Sequence, residues 1–299
     1  MDRFHQMSVY VAVAETESFA AGARKLGMSP PAVTRAVAAL EEELGVKLLN
    51  RTTRYVRATD AGVRYLDDAR RILAEVQEAD EVAGGVNAEP RGHLVVTAPV
   101  LFGQLFVMPS VVGFLQRYPD VDVSALFLDR VVNMLEEGVD VGIRIGALPD
   151  SSMRAIRVGQ VRRVLCASPE YLAQYGIPNT PNDLLKHQIV AASSISPNIE
   201  WKFGDDESAK AIRIKPRLTV TSNDGAIAAV RHGAGITRLL SYQVAGLLQT
   251  GELKTVLGEF EPKPLPIHIV HREGRHGSAK IRAFVDFMAQ ALKENSALN

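Results

Sequence analysis

Cysteine is almost missing from this chain: Cys166 is the only one among 299 residues. No intrachain disulfide can form, and a cluster of thiolate ligands around a metal is excluded. Val164-Leu165-Cys166-Ala167 reads as a buried strand, so the thiol is assigned to packing rather than to chemistry. Long apolar runs are missing as well. Stretches such as Leu94 to Gly103 fall short of the ~18 residues that a membrane helix requires. The first turns reach Asp2, Arg3, Glu15 and Glu17 without the apolar core or cleavage site of a secretory leader, so a cytoplasmic location is expected. Net charge is absent too, with 34 basic and 34 acidic residues balancing to +0. The histidines form no ligand spacing. His268 and His271 lie three apart in a strand and therefore on opposite faces, so no metal site and no cofactor are expected.

Motifs of catalysis are also lacking. There is no Gly-rich phosphate loop, no Gly-x-Ser-x-Gly elbow and no carboxylate–histidine constellation, and the chain is not read as an enzyme. What is present is an ordinary soluble composition, 46% hydrophobic and 23% charged, over a length that exceeds a single typical domain.

The informative stretch runs from Ser18 to Gly62. Ser18 caps a short helix carrying Phe19, Ala20, Ala23 and Leu26 at helical spacing, and Gly27 supplies the turn. Ala23 is small where two crossing helices approach. Ser29 then offers an N-cap hydroxyl, and Pro30 and Pro31 occupy first-turn positions where a missing N–H matters least. Val33, Val37, Leu40 and Leu44 form one apolar stripe that ends at Gly45. Opposite the stripe lie Pro31, Arg35 and Ala38, with Thr34 on the flank. This unbulky face with one guanidinium suits entry into a DNA major groove. A plain helical hairpin shares the periodicity, and the following residues decide against it. Val46 to Leu49 and Tyr55 to Arg57 read as strands around Asn50-Arg51-Thr52-Thr53-Arg54, a hairpin tip suited to phosphate or minor-groove contacts. Arg24, Lys25, Arg35, Lys47, Arg51, Arg54 and Arg57 make this stretch locally basic. The expected DNA-contacting set is Ser29, Pro30, Pro31, Thr34, Arg35, Arg51, Thr53 and Arg54. Before it, Phe4, Met7, Val11 and Ala14 place one face of a first helix behind the motif.

The run from Phe19 to Arg35, then Leu40-Glu-Glu-Glu-Leu-Gly-Val-Lys-Leu-Leu-Asn-Arg, then Ala58-Thr-Asp-Ala-Gly, closely resembles the LysR-type transcriptional regulators. Relatives often carry Gln where this chain has Pro30. The resemblance implies a winged helix-turn-helix over residues 1–58, a dimerising linker helix over 59–90 and a periplasmic-binding-protein-like effector domain over 91–299. It also implies double-stranded DNA and a small effector as partners, and a dimer that assembles into a tetramer.

The residues beyond the motif carry their own signals. Thr59 can cap a long helix reaching Gly84, with Leu66, Ala69, Leu73, Val76 and Ala83 at a/d spacing interrupted by Asp80. Such a seam suits pairing with a second copy; the alternative is one amphipathic helix on its own domain. After Gly84-Gly85 the pattern alternates strand and helix: strand Leu94 to Ala98, helix to Arg117, strand Val121 to Leu128, a short helix around Leu135, strand Asp140 to Ile145. That order implies a parallel sheet in an α/β fold. It restarts near Val161 with strand Arg163 to Ala167, helix Pro169 to Tyr175, strand Ile212 to Thr221 and helix Asn223 to His232. A strand Ile267 to Val270 and a helix Ser278 to Leu292 close the chain. Two lobes are expected, one of residues 91–161 and 267–299, the other of 162–266. Asp140-Val-Gly-Ile-Arg-Ile-Gly and Gly233-Ala-Gly-Ile followed by Gly251-Glu-Leu extend the resemblance, with Leu240 where the family often has Pro.

Open α/β sheets bind ligands beyond the carboxyl ends of their strands. Those ends offer Pro99, Val100, Leu101 and Phe102, then Arg144, then Thr219, Thr221, Ser222 and Asn223. An apolar first loop argues against a bare inorganic ion. A guanidinium binds a carboxylate bidentately, so a small organic acid held by Arg144 is expected. The alternative has Arg144 salt-bridged to Asp140 or Asp150. Trp201 and Phe203 either line a pocket or belong to the core. The whole reading is a DNA-binding regulator answering to a small molecule, with an enzymatic α/β domain carrying a DNA-binding appendage and an architectural DNA-binding protein as the competing alternatives.

Overall fold

A computed structural model describes residues 2–51, 55–83, 89–148, 153–192, 199–204, 210–272 and 278–298. The chain divides into two compact units, Met1–Ala88 and Glu89–Asn299.

The first unit holds helices α1 (Arg3–Thr16), α2 (Phe19–Lys25), α3 (Pro30–Leu44) and α4 (Asp60–Ala83), with strands β1 (Leu49–Arg51) and β2 (Val56–Ala58) paired antiparallel before α4. Local chemistry sets each boundary. Ser18 accepts the Ala21 N–H at 3.2 Å, and Thr59 Oγ1 accepts the Gly62 N–H at 2.9 Å. Gly45 closes α3 in the left-handed region at φ 67°. Ser29 sits at the N-cap position of α3 but bonds no helix amide through its hydroxyl, contrary to the expected cap; Pro31 removes the second-position amide that such a cap would serve.

Val9, Tyr10, Val13, Ala23, Val33, Val37 and Leu40 make the core of this unit. Of the expected face of α1 only Met7 is fully buried. Phe4 is 43% exposed, and Val11 and Ala14 are only half-buried, because the neighbouring helices cover the Val9–Tyr10–Val13 side. The tightest helix approach also lies one residue earlier than expected. A Cβ at Gly22 would stand 2.9 Å from Val13 Cγ2, whereas Ala23 merely fills core.

The second unit has two lobes. Strands β3 (Gly92–Ala98), β4 (Val121–Phe127), β5 (Val141–Ile145), β6 (Met153–Val161) and, last in the chain, β14 (Leu265–Arg272) form one five-stranded sheet in the order β4-β3-β5-β14-β6. Helices α5 (Val100–Phe102) and α6 (Met108–Arg117) join through a π-helical turn, Gly103–Val107, into one helix between β3 and β4. That helix is long and apolar enough to cross a membrane by composition, yet Phe102, Val107, Val111 and Phe114 lie in the core of this lobe.

The other lobe contains β7 (Arg163–Ala167), α7 (Pro169–Tyr175), β8 (Val190–Ala192), β9 (Ile199–Phe203), β10 (Lys210–Ile214), β11 (Leu218–Val220), α8 (Asn223–Arg231), β12 (Thr237–Leu240), α9 (Ser241–Gln249) and β13 (Lys254–Val256). The final helix, α10 (Ala279–Lys293), packs on the first lobe, where Phe284 meets Phe114 edge-on at 5.1 Å.

Three expectations need correction. The first sheet is mixed: β3 runs parallel to β4 and β5, but β14 is antiparallel to β5 and β6. A strand re-entering directly from the other lobe lacks the crossover helix that parallel pairing requires. Residues 134–138 form a single turn and no helix, with the Val139 N–H closing onto Met134 O. The expected strand Ile212 to Thr221 is two strands in two sheets, β10 with β9 and β11 with β8; Pro216, which has no N–H to offer a ladder, stands at the break.

Candidate functional site

The first candidate surface is the amino-terminal half of α3. Ser29, Pro30, Pro31 and Arg35 are exposed and Thr34 is half-buried, so these five share one accessible surface. Arg35 makes no ion pair among the described residues, whereas Lys25 is held by Glu15 at 2.9 Å and Lys47 by Glu41 at 2.7 Å. A free guanidinium on a short-sided helix face is what base-edge contact needs. Arg51 contributes backbone to β1, but its side chain, with Thr53 and Arg54, lies outside the described residues. At the foot of the wing Arg57 stacks over Tyr55 at 5.3 Å.

What orients this surface is a residue with no motif to announce it. Glu41, 2% exposed on α3, accepts the backbone N–H groups of Leu48 and Leu49 at 3.0 and 3.1 Å. It thereby pins the start of the wing to the recognition-type helix. Burial opposes its charge, but the Lys47 ammonium and the two amides outweigh that and hold its carboxyl below the ordinary range. Gly62 completes the joint. A Cβ there would fall 2.0 Å from Leu48 O, and its carbonyl accepts the Tyr10 hydroxyl at 2.8 Å.

The α4 seam is partly used within its own unit. Ala69 is fully buried and Leu66 packs on the local core, and Arg70 grips Glu15 through two nitrogens at 3.0 and 2.9 Å. Leu73 and Val76 remain half-buried on the helix beyond it; the Ala83 side chain lies outside the described residues.

In the second unit the strand ends bring together Val100, Ser222, Asn223 and a residue the sequence did not single out, Asp129. Asp129 follows β4 and accepts the Val100 N–H at 3.0 Å through one oxygen. Its other oxygen accepts the Asn223 amide at 3.2 Å across the lobes. Ser222 caps α8 by accepting the Gly225 N–H, and Thr219 and Thr221 are exposed beside it. Pro99, Val100 and Leu101 are half-buried. Phe102 corrects the expectation of an apolar cleft wall: it is 0% exposed and packs against Phe106 and the second-lobe Tyr242 at 4.9 and 5.4 Å. Trp201 and Phe203 are likewise core residues of the second lobe.

Arg144 is half-buried on β5 and donates to Val132 O at 2.7 Å. The Asp140 carboxylate accepts instead from the Val95 N–H, and Asp150 lies outside the described residues. Register sets His268 of β14 between Arg144 and Arg157, so three basic side chains run abreast on one sheet face. Burial, then the neighbouring Arg157 charge, lowers the His268 pKa. Among the described residues no group of three or more His, Cys, Asp or Glu is placed to hold a metal.

Residues 4–63 match the family model described as the bacterial regulatory helix-turn-helix protein, lysR family, and residues 87–293 match the LysR substrate binding domain. The chain is 32% identical to the HTH-type transcriptional regulator CrgA of Neisseria meningitidis, covering 97% of each. It is 33% identical to the HTH-type transcriptional activator AaeR of Escherichia coli, covering 98% of this chain and 95% of that one. Among solved structures it is similar to CrgA, with a TM-score of 0.62 over 97% of this chain and 99% of that one. It is also similar to the full-length Vibrio cholerae virulence activator AphB, at 25% identity, with a TM-score of 0.59 over 97% of this chain and 99% of that one.

Proposed function

The chain belongs to the LysR family of transcriptional regulators, and from that premise we propose that a small organic acid, bound between the two lobes of the effector domain, controls its hold on double-stranded DNA. The observation that carries the reading is Asp129. Two donors from different lobes, the Val100 N–H and the Asn223 amide, already converge on a carboxylate, and that carboxylate belongs to the protein. An effector acid replaces it, and Arg144 and Arg157, on either side of His268, supply the compensating field.

In this reading Ser29, Pro30, Pro31, Thr34 and Arg35 meet the major groove, and Arg51, Thr53 and Arg54 meet the backbone. Residues 1–58 bind DNA, 59–90 pair two copies through α4, and 91–299 hold the effector, in the cytoplasm, as a dimer or a tetramer. An exposed apolar stripe of Leu105, Met108 and Val112 supports a second self-association surface.

A thermal-shift screen of the full-length protein with small carboxylic acids and their matched amides tests the effector class. The expected result is that an acid stabilises the protein and its amide does not. Asp129→Ala is expected to tighten acid binding by removing the competitor. Arg144→Ala is expected to abolish the acid response while leaving DNA affinity near normal. A lowered melting temperature with undiminished acid affinity in Arg144→Ala would show that this arginine only supports the fold.

A further inference from the structure

The second lobe carries two like charges with no counter-charge among the described residues. Arg163 opens β7 immediately after the crossing between the lobes, and Arg238 lies on β12. In the antiparallel register Leu240 stands opposite Arg163 and Arg238 opposite Leu165. Side chains alternate along a strand, so Arg163 and Arg238 rise from the same sheet face as diagonal neighbours. Both are half-buried. The Arg238 guanidinium lies over the Trp201 ring at 5.0 Å and reaches Lys202 O at a long 3.4 Å. The Arg163 side chain makes no hydrogen bond or ion pair among the described residues.

The nearby carboxylates are turned elsewhere. Glu261 is held by Arg162 at 3.0 Å. Glu200 is next to Trp201 on β9 and therefore points to the opposite face, and it is exposed. Burial lowers the pKa of both guanidiniums, and the Arg163 charge helps bring Arg238 down to about 10. Withdrawing two cations from water side by side is unfavourable unless an anion sits between them.

We infer that Arg163 and Arg238 form an oxyanion site on the second lobe, separate from the Asp129 cleft, that takes a small carboxylate or phosphate with Trp201 as its floor. Two guanidinium forks a diagonal step apart can each donate to a different oxygen of one anion. The site adjoins the crossing between the lobes: Arg162 donates its backbone N–H to Ser241 of α9 and its guanidinium to Glu261 of the returning segment. An anion at Arg163 is thus placed to stiffen that joint.

Trp201 is the only tryptophan in the chain, so intrinsic fluorescence of the full-length protein reports on this site directly. The probes are inorganic phosphate and acetate, each titrated against sodium chloride at matched ionic strength. The expected result is a saturable change in Trp201 emission with at least one of the two, and their relative affinity says which oxyanion the site prefers. Arg163→Gln and Arg238→Gln, with folding checked by circular dichroism, are expected to weaken binding by about tenfold or more. Arg144→Ala is expected to keep the response, which separates this site from the effector cleft. The inference is overturned if neither probe gives a saturable change in the wild-type protein, the outcome expected if the acidic run Asp205-Asp206-Glu207, outside the described residues, supplies the counter-charge. It is overturned equally if folded Arg163→Gln or Arg238→Gln responds as the wild type does, or if Arg144→Ala alone abolishes the response.

Discussion

At the scale of single residues, the DNA-binding unit depends on a buried carboxylate more than on any exposed ion pair. The Lys47–Glu41 contact has its lysine 76% exposed, and such a pair contributes little by itself. The two backbone N–H groups that Glu41 accepts are buried, and hydrogen bonds to a charged acceptor contribute about 1.5–3 kcal/mol. Glu41→Gln is therefore expected to lower the stability of this unit by about 1–3 kcal/mol, measured by denaturant unfolding at neutral pH. The sign of the pH dependence follows from the lowered carboxyl. Its contribution is full above the ordinary value of 4.5 and is lost as pH falls below that value through the depressed one. Glu41→Gln should flatten the acid limb of the stability profile, and an unchanged limb would remove this residue from the account. No sequence pattern marks Glu41 among three consecutive glutamates, since only the fold shows which one turns inward. Asp129 is equally silent in the sequence, because its partners Val100 and Asn223 lie far from it in the chain.

At the scale of elements, α4 is the piece whose role divides. Its first half is anchored by Ala69, Leu66 and the Arg70–Glu15 pair to its own unit, and Leu73 and Val76 continue the face beyond. Leu73→Asp is expected to break the proposed pairing through α4, because a lone charge in a paired apolar seam is costly. DNA affinity should fall with it, as one winged helix reaches one half-site. Sedimentation showing an intact dimer in Leu73→Asp would leave α4 as a helix of its own unit only. Elements built from local signals are legible in the sequence: α2 from its Ser18 cap, α3 from its first-turn prolines, turn glycines and one apolar stripe, and α7 from Ser168 and Pro169. Strands that exist through distant partners are not. The three residues of β13 pair only with β7, and β6 loses its alternation where a bulge shifts its register against Ile267 and His268. The first-lobe loop misleads for a related reason. Val100 to Phe102 ends on the lobe core, and Phe102→Ala is expected to destabilise the effector domain by about 3–5 kcal/mol instead of trimming a ligand contact. Calorimetry showing an unchanged melting temperature for that variant would return Phe102 to the cleft.

At the scale of the whole molecule, a helix-turn-helix unit is joined to a LysR substrate binding domain. The joint rests on the helix: without sequence-specific contact by α3, an effector has nothing to regulate. The most direct test is the affinity of the full-length protein for a DNA site selected by the wild type, compared with Arg35→Ala at the same salt concentration. Arg35→Ala is expected to lose about 1–3 kcal/mol on the selected site and to relax preference at one base pair in each half-site, with little change on unrelated DNA. Equal affinity of the two proteins for the selected site would contradict the assignment of α3 as the element that reads the sequence.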